Sequence, residues 1–503
     1  MLSTLIRREL LDNLMTFRFI ATVVIMLLLV VANTFVLIKD YDRRLASYNA
    51  AVNANHERMQ ERTTYSSVSI SWDVVRPPNL LSIFNVGLDK RLSNEIFVFY
   101  GFVPTLWDGQ VHGSTNPLLN LFSSIDIVFI FEVVLSLMAL IFAYDALAGE
   151  RERGTLRLVL THPVSRAKIL LAKYISAMMC LLVPLLMSFL LVVILLTTSP
   201  IVSLKVDDFL RIGGIVLSSI AYLSIFYLIG LLISVITRRT STALMLAMFV
   251  WGFLVLVYPN VILVAITSAE SSQERLVPAF NQIEQIWEEF DRERKDYLAN
   301  DPIPGEDSHL GVAGGSGFDE IWHKAKSTLL YTYLAISYVN KLDDEFEPRV
   351  PHVQNYYRTI VPKTIDAAER AWLVRKQALE SVFFRPAIVD RIFLRFSPVG
   401  MYDAATQAWA GTDLFGLRDF YEATRKYRRT LIDYLYDKNA FGDRKWFSSD
   451  KGAVDWDSSP QFSFQRSDVH VSAKRALPDL LLMLMVNLIL FWGIFFVFHR
   501  SEV

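Results

Sequence analysis

The chain has 503 residues, 53% of them hydrophobic, a mean hydropathy of +0.33 and a formal net charge of −1. That much apolar material excludes an ordinary water-soluble globule of this size. The near-neutral charge, with no Lys/Arg block, excludes a nucleic-acid partner and polybasic attachment to acidic lipid. A single cysteine, Cys180, excludes an internal disulfide and a thiolate zinc site; inside an apolar run it reads as a small buried hydrophobe.

In chain order, residues 1–18 come first. Leu2, Leu5, Ile6, Leu10, Leu11 and Leu14 alternate with Arg7, Arg8, Glu9 and Asp12, the pattern of an amphipathic helix lying in a membrane interface. Segment 19–38 is the first of six apolar stretches long enough to span a bilayer; the others are 119–144, 169–196, 211–236, 242–266 and 477–498. It exceeds a typical signal-peptide core and lacks a small-x-small exit, so it is expected to stay as an anchor. The first polar insert, 39–118, should begin by continuing the span helix. Val68, Ile70, Trp72 and Val74 then alternate with Ser67, Ser69, Ser71 and Asp73 as a half-buried strand, ended by Pro77-Pro78, with 96–103 as its partner.

The second span carries Asp126 near one end and Glu132 near its middle. A carboxylate at that depth costs about 2.5 kcal/mol or more unless it faces protein or water. Glu132 is therefore either a contact on a substrate path or a brace to a neighbouring span, for example to Asn487 in the last one; for Asp126 the bracing role is favoured. Pro184 and Pro259 are expected to kink the third and fifth spans.

Between the second and third spans lies a charged, helix-forming stretch, 145–173, reading DALAGERERGTLRLVLTHPVSRAKILLAK. Its Arg151, Arg153, Arg157, Arg166 and Lys168, together with Arg238-Arg239 in the other short loop, place both loops on the cytoplasmic side. Both termini then share that side and both long inserts lie outside. Glu152, Gly154, Thr155, Leu156, Leu158, Leu160, Pro163, Ser165, Arg166, Ile169 and Lys173 fall at the offsets E-x-G-T-L-x-L-x-L-x-x-P-x-S-R-x-x-I-x-x-x-K. This resembles the cytoplasmic coupling segment of ABC type-2 exporter permeases. Arg76-Pro77-Pro78, Asn116-Pro117-Leu118, Tyr144-Asp145, Ser397-Pro398 and 410–413 resemble the branch related to multicopper-enzyme-maturation permeases, which carries large extracytoplasmic inserts.

The second insert, 267–476, is expected to be mainly helical. Leu276, Phe280, Ile283, Trp287, Phe290 and Tyr297 keep a 3–4 spacing broken only by Arg294. Ile365, Ala368, Trp372, Leu379 and Val382 form a second such seam, and Leu417, Phe420, Thr424, Tyr427 and Leu431 a third. Phe462-Ser463-Phe464 and Val469-His470-Val471 read as short strands. The expected fold is thus an α-helical integral membrane protein. It has six transmembrane helices of ABC type-2 exporter topology and an α+β, mainly helical extracytoplasmic domain to which both inserts contribute.

No G-x-x-x-x-G-K-[ST] phosphate loop occurs; the glycines at 311–317 run into Phe318-Asp319, with no lysine for phosphates. No H-E-x-x-H or G-x-S-x-G occurs, His309, His323 and His352 are not at ligand spacing, and Met178-Met179 and Met483/Met485 lie in apolar spans. The chain is therefore expected to be a non-catalytic subunit without its own cofactor or metal. The resemblance implies two ABC ATPase subunits that bind ATP and Mg, a second permease copy or paralogue, and a bacterial inner (plasma) membrane location. An extracytoplasmic partner protein is left open. So are two other readings: a machine that transmits motion without moving cargo, and a receptor or scaffold without an ATPase. The coupling residues implied are Glu150, Arg151, Glu152, Arg153, Gly154, Thr155, Leu156, Arg157 and Leu160. Their charges would pair with an ATPase groove, their leucines would add apolar contact, and Ser165 would cap the third span.

Overall fold

The computed structural model describes residues 2–61, 65, 72–89, 95–98, 125–156, 165–262, 272–300, 310–312, 331–333, 350–381, 392–438, 455 and 457–500. Among them six helices are long and apolar enough to cross a membrane, coinciding with the six apolar stretches of the sequence. The first, α2 (Phe17–Gln60), follows the short helix α1 (Leu2–Leu14) and starts where Thr16 Oγ1 accepts a hydrogen bond from Phe19 N. Its 44 residues measure about 66 Å at 1.5 Å per residue, twice a hydrocarbon core of about 30 Å. The excess is the continuation expected from the sequence. In that polar half Arg44 reaches Asp89 (2.8 Å) and Ser82 (2.9 Å), fastening the helix to the first insert.

The second span is α3 (127–143), carrying a π-helical turn at Phe131–Leu135, followed by a turn and the five-residue α4 (Ala148–Glu152). The third is α5 (Arg166–Thr198), with Pro184 inside it, and the fourth is α6 (Val206–Ile236). The fifth is α7 (Thr240–Ile262), with a second π-helical stretch at Gly252–Val257.

The sixth, α12 (Val469–Arg500), begins eight residues before the apolar run does. Val469-His470-Val471 is therefore its first turn and not a strand, with Val471 N and Ser472 N both bonded to Asp468 O. Three alternating residues carry too little period to distinguish the two states, and helix continuity decides. Phe462 and Phe464 also lie outside any strand; they sit edge-on to Phe420 at 6.0 and 5.4 Å.

The first insert supplies β1 (Trp72–Val75), antiparallel to β2 (Glu95–Val98) with Val74 opposite Ile96. The other expected residues of the strand pair, 67–71 and 99–103, lie outside the described residues. The second insert supplies α8 (Ser272–Asn300), the short antiparallel pair β3 (Leu310–Val312) and β4 (Tyr331–Tyr333), α9 (Val350–Leu379), α10 (Pro398–Ala410) and α11 (Leu414–Asp437). Of the glycine-rich loop only 311–312 is described. Helix α8 buries Ile283, Trp287 and Phe290, and the interrupting Arg294 is itself buried, bonded to Asp291 at 2.7 and 3.0 Å. Val74, Ile96 and Val98 from the first insert close one core with Leu417, Phe420, Leu431 and Leu435 from the second. Above it Arg428 is fully buried against Glu369 (2.7 Å); burial pushes its guanidinium down to about 10 while Glu369 opposes the shift.

Helix α10 was expected simply as part of the second insert. It instead packs between α6 and α12, within the core of the spans. Tyr402 stacks on Tyr222 with centroids 4.4 Å apart and its hydroxyl meets Ser219 Oγ at 2.8 Å. A Cβ on Gly214 would lie 2.3 Å from the Trp409 ring, so only glycine allows this approach. At 13 residues α10 is too short to span, which is why sequence alone grouped it with its polar neighbours.

Candidate coupling site

The charged segment is held by the protein's own helices. Ser234 Oγ of α6 accepts from Leu147 N (3.0 Å) and Ala148 N (2.9 Å), capping α4 from another helix. Arg151 Nη1 donates to Val235 O and Thr237 O, both at 3.0 Å, satisfying carbonyls at the end of α6. Glu152 Oε2 accepts from Thr240 N (2.9 Å) and Thr240 Oγ1 (2.8 Å), capping the start of α7. Glu150 Oε1 accepts from Lys173 Nζ of α5 at 2.6 Å, and Lys173 also reaches Glu9 of α1 at 3.1 and 3.2 Å. Arg18 at the start of α2 donates to Asp145 (2.9 Å) and to the Tyr144 hydroxyl (2.9 Å).

These bonds correct one expectation. Glu150, Arg151 and Glu152 were expected to offer ion pairs to an outside surface, but each already has an internal partner. Leu156, read as apolar contact for that surface, is 0% exposed and belongs to the core of the spans. The physical reason is that the segment lies beside three helix ends, whose free N–H and C=O groups need partners. What remains outward is Glu152, on its exposed side, with Arg153, Gly154 and Thr155. Gly154 takes φ +73° with open space around it, a left-handed conformation that favours glycine. Arg157, Leu158, Leu160 and Pro163 lie outside the described residues. Ser165 stands at the N-cap of α5 without a side-chain capping bond, so its expected capping role is not made.

Beneath the segment, α1, α4 and α5 enclose a cleft of about 1070 Å³. Four basic and four acidic side chains line it, among them Arg8, Glu9, Glu150, Arg153 and Lys173, with Leu5, Phe17 and Ile169 as part of its apolar wall. Lys173 is 5% exposed at its side chain, which makes it the deepest cation of this group. It was noted only as the end of a motif; a lysine two turns into an apolar helix was the signal for a larger part.

The intramembrane polar residues divide. Asp126 Oδ1 accepts from Phe129 N (2.7 Å) and Oδ2 from Val86 N (2.8 Å), so it caps α3 and ties that helix to the first insert, where a bond to a neighbouring span was expected. Glu132 sits in the π-helical turn of α3. Its carbonyl accepts from the Tyr222 hydroxyl (3.0 Å) and from Ser136 Oγ, while no hydrogen bond of its carboxylate is found among the described residues. Trp251 of α7 donates to Ser136 Oγ at 2.9 Å, joining α3 and α7, each of which carries a π-helical turn. Asn487 donates to Ala221 O of α6 (3.0 Å) and to Met483 O (2.9 Å), so the brace it forms goes to the fourth span and not to Glu132.

The other end of α6 holds residues that sequence reading passed over. Arg211 Nη1 donates to Ser472 Oγ (2.7 Å) and Trp409 O (3.2 Å), and Nη2 to Ser467 O. Asp208 pairs with Arg466, whose other arm reaches Asn79 Oδ1 at 3.0 Å. Charges in the first two turns of an apolar helix were the available signal. One helix, α6, thus bonds the charged segment at its C-terminal end and the second insert at its N-terminal end, with the first insert reached through Arg466. Among the described residues no group of three or more His, Cys, Asp or Glu side chains is placed to hold a metal ion.

Comparison with known proteins adds two matches along the chain. Residues 3–296 match the family described as ABC-2 family transporter protein, and residues 367–465 match the Domain of unknown function (DUF3526). Among curated proteins, the probable ABC transporter permease protein NosY of Stutzerimonas stutzeri is 33% identical over 140 residues, 27% of this chain and 50% of that protein. Its namesake in Pseudomonas aeruginosa is 30% identical over 149 residues, 29% and 53% of the two chains. The chain spans about half the length of the curated relatives it matches.

Proposed function

The chain belongs to the ABC-2 family of transporter proteins, and we propose that it is the permease subunit of a machine driven by an ATPase on separate polypeptides. Two relatives named as ABC transporter permeases support this, as does the absence of a phosphate loop from the sequence. In this reading two ATPase subunits bind ATP and Mg, and a second permease copy or paralogue completes the complex. The basic loops face the cytoplasm of a bacterial cell and the inserts face the other side of its inner membrane.

The single observation that carries the coupling role is the double attachment of α6. An ATPase resting on Arg153, Gly154 and Thr155 would move α4, and Ser234 and Arg151 would pass that movement to α6. At the far end Arg211 and Asp208 hand it to the inserts. The same attachment favours a second reading, in which the output is movement of the insert domain against an extracytoplasmic partner protein and no cargo crosses. Glu132 is then the residue that separates the readings, as the carboxylate on a path between spans; Asp126 and Asn487 brace.

The test uses the outward residues alone, because Leu156 is core. Arg153→Glu with Thr155→Glu should leave membrane insertion and elution of the permease unchanged and abolish co-purification of the ATPase. A double variant that retains a fully stimulated ATPase overturns the coupling role of this segment.

A further inference from the structure

The cleft under α4 contains a group that the coupling role leaves unused. Glu150 Oε2 is buried and has no hydrogen-bond partner among the described residues. Its neighbour Lys173 cannot supply one: an ammonium has three N–H donors, and those of Lys173 are directed to Glu9 Oε1, Glu9 Oε2 and Glu150 Oε1. A buried carboxylate oxygen left without a donor is costly. The cleft around it, about 1070 Å³, is as large as a full ligand pocket, about 300–1,000 Å³.

We propose that this cleft holds the headgroup of an aminophospholipid, its primary ammonium donating to Glu150 Oε2. Three features fix the class. The orphan oxygen asks for an N–H donor, which a primary ammonium carries and a trimethylammonium lacks. Among the described residues Arg153 uses only Nε, donating to Gly149 O at 3.1 Å, and Arg8 is 75% exposed with Asp12 at 3.9 Å, so both have donors for a phosphate. Phe17 lines the cleft while remaining 83% exposed, beside Met15 at 83%. Large apolar side chains so exposed mark a lipid-facing edge, so the cleft opens toward the bilayer at headgroup depth, beside the interfacial helix α1. A lipid seated there contacts α1, α4 and α5 together and would stabilise their junction. The inference goes beyond the coupling role and needs no ATPase.

The experiment uses the full-length permease alone, delipidated in detergent and returned to vesicles of phosphatidylethanolamine or of phosphatidylcholine, each mixed with phosphatidylglycerol. Native mass spectrometry counts retained lipid. Phosphatidylethanolamine should be retained in preference to both others, and Glu150→Gln should weaken that retention about tenfold, the effect of one charge-assisted hydrogen bond. Because Glu150 also holds Lys173, Ala146→Trp provides a second variant that fills the cleft and leaves every ion pair intact; it too should lose the lipid. Equal retention of phosphatidylcholine, or unchanged retention by both variants, overturns the proposal.

Discussion

Helices α6 and α7 are neighbours in sequence and similarly apolar, yet they live in different surroundings. In the most apolar 18-residue stretch of α6, 78% of residues are buried; in that of α7, 17%. Composition shows why. The buried faces of α6 carry Gly214, Ser218, Ser219, Ala221, Tyr222, Ser224, Gly230 and Ser234, whereas α7 exposes Leu244, Met245, Met248, Phe249 and Phe253. In a bilayer, lipid is as apolar as leucine, so hydropathy alone does not sort inside from outside. Close packing and interhelical hydrogen bonds do, and both favour small and hydroxyl-bearing residues. The hydroxyls of α6 are used in this way: Ser219 meets Tyr402, Ser224 meets Tyr174, and Ser234 caps α4.

The largest effect should come from placing bulk on α6. A Cβ at Gly230 would lie 2.6 Å from Ala143 Cβ and 3.0 Å from Leu140, both on α3. Gly230→Leu should therefore wedge the two spans apart, at about 1–3 kcal/mol or more for an overpacked core. Expression as a green-fluorescent-protein fusion with size-exclusion chromatography should show loss of the monodisperse peak. A normal peak would mean that α3 and α6 can separate without cost and that the close approach is not structural.

A smaller but still large effect should follow at the attachment of α6 to the inserts. Arg211→Met removes donors to Ser472, Trp409 O and Ser467 O while keeping an apolar stem. Each buried acceptor left unpaired costs about 1–3 kcal/mol, so the unfolding midpoint in detergent should drop by several degrees. The same variant tests transmission. It should retain the ATPase, whose proposed docking surface lies at the opposite end of α6, and should lose coupling between ATP hydrolysis and output. Loss of ATPase binding would show that the two ends of α6 are not separate in function.

How much of this was legible in advance follows the same division. The six spans and helices α1, α8, α9 and α11 were readable because each repeats its period over several turns. The strand pair was readable at its centre, where the alternation that ends at Val74 meets the apolar run that starts at Ile96. Long-range pairings were not. Arg18 with Asp145 and Lys173 with Glu9 join residues more than a hundred positions apart, and no local pattern encodes them. Reading Glu150, Arg151, Glu152 and Leu156 as free for a partner followed from that blindness, since a charged loop looks the same whether its partner is another chain or the next helix. Helix α10 was missed as part of the span core for a related reason: Gly214 and Trp409 declare their contact only when brought together.

A modest effect on folding with a large one on activity is expected at Glu132. Its carboxylate has no hydrogen bond among the described residues, and the backbone bonds around it survive substitution. Glu132→Gln should leave the yield and the unfolding midpoint unchanged while impairing ATP-driven output in reconstituted vesicles. A fall in yield with normal activity per molecule would return Glu132 to the bracing role that Asp126 and Asn487 fill.

The smallest effect belongs to α7. Met245 is 72% exposed and Phe249 is 70% exposed, one turn apart on a single face. In detergent the micelle covers that face before and after truncation, and no cavity is left behind, so Met245→Ala with Phe249→Ala should change stability by no more than about 0.5 kcal/mol. The unfolding midpoint of the isolated permease checks this directly. A drop comparable to that of Arg211→Met would mean that another surface covers α7 in the purified protein, and the contrast between the two helices would then belong to the isolated chain alone. With the midpoint unchanged, the same variant becomes a clean probe of pairing. Any shift from two permease copies to one, seen by native mass spectrometry, would then come from the exposed face of α7 and not from damage to the fold.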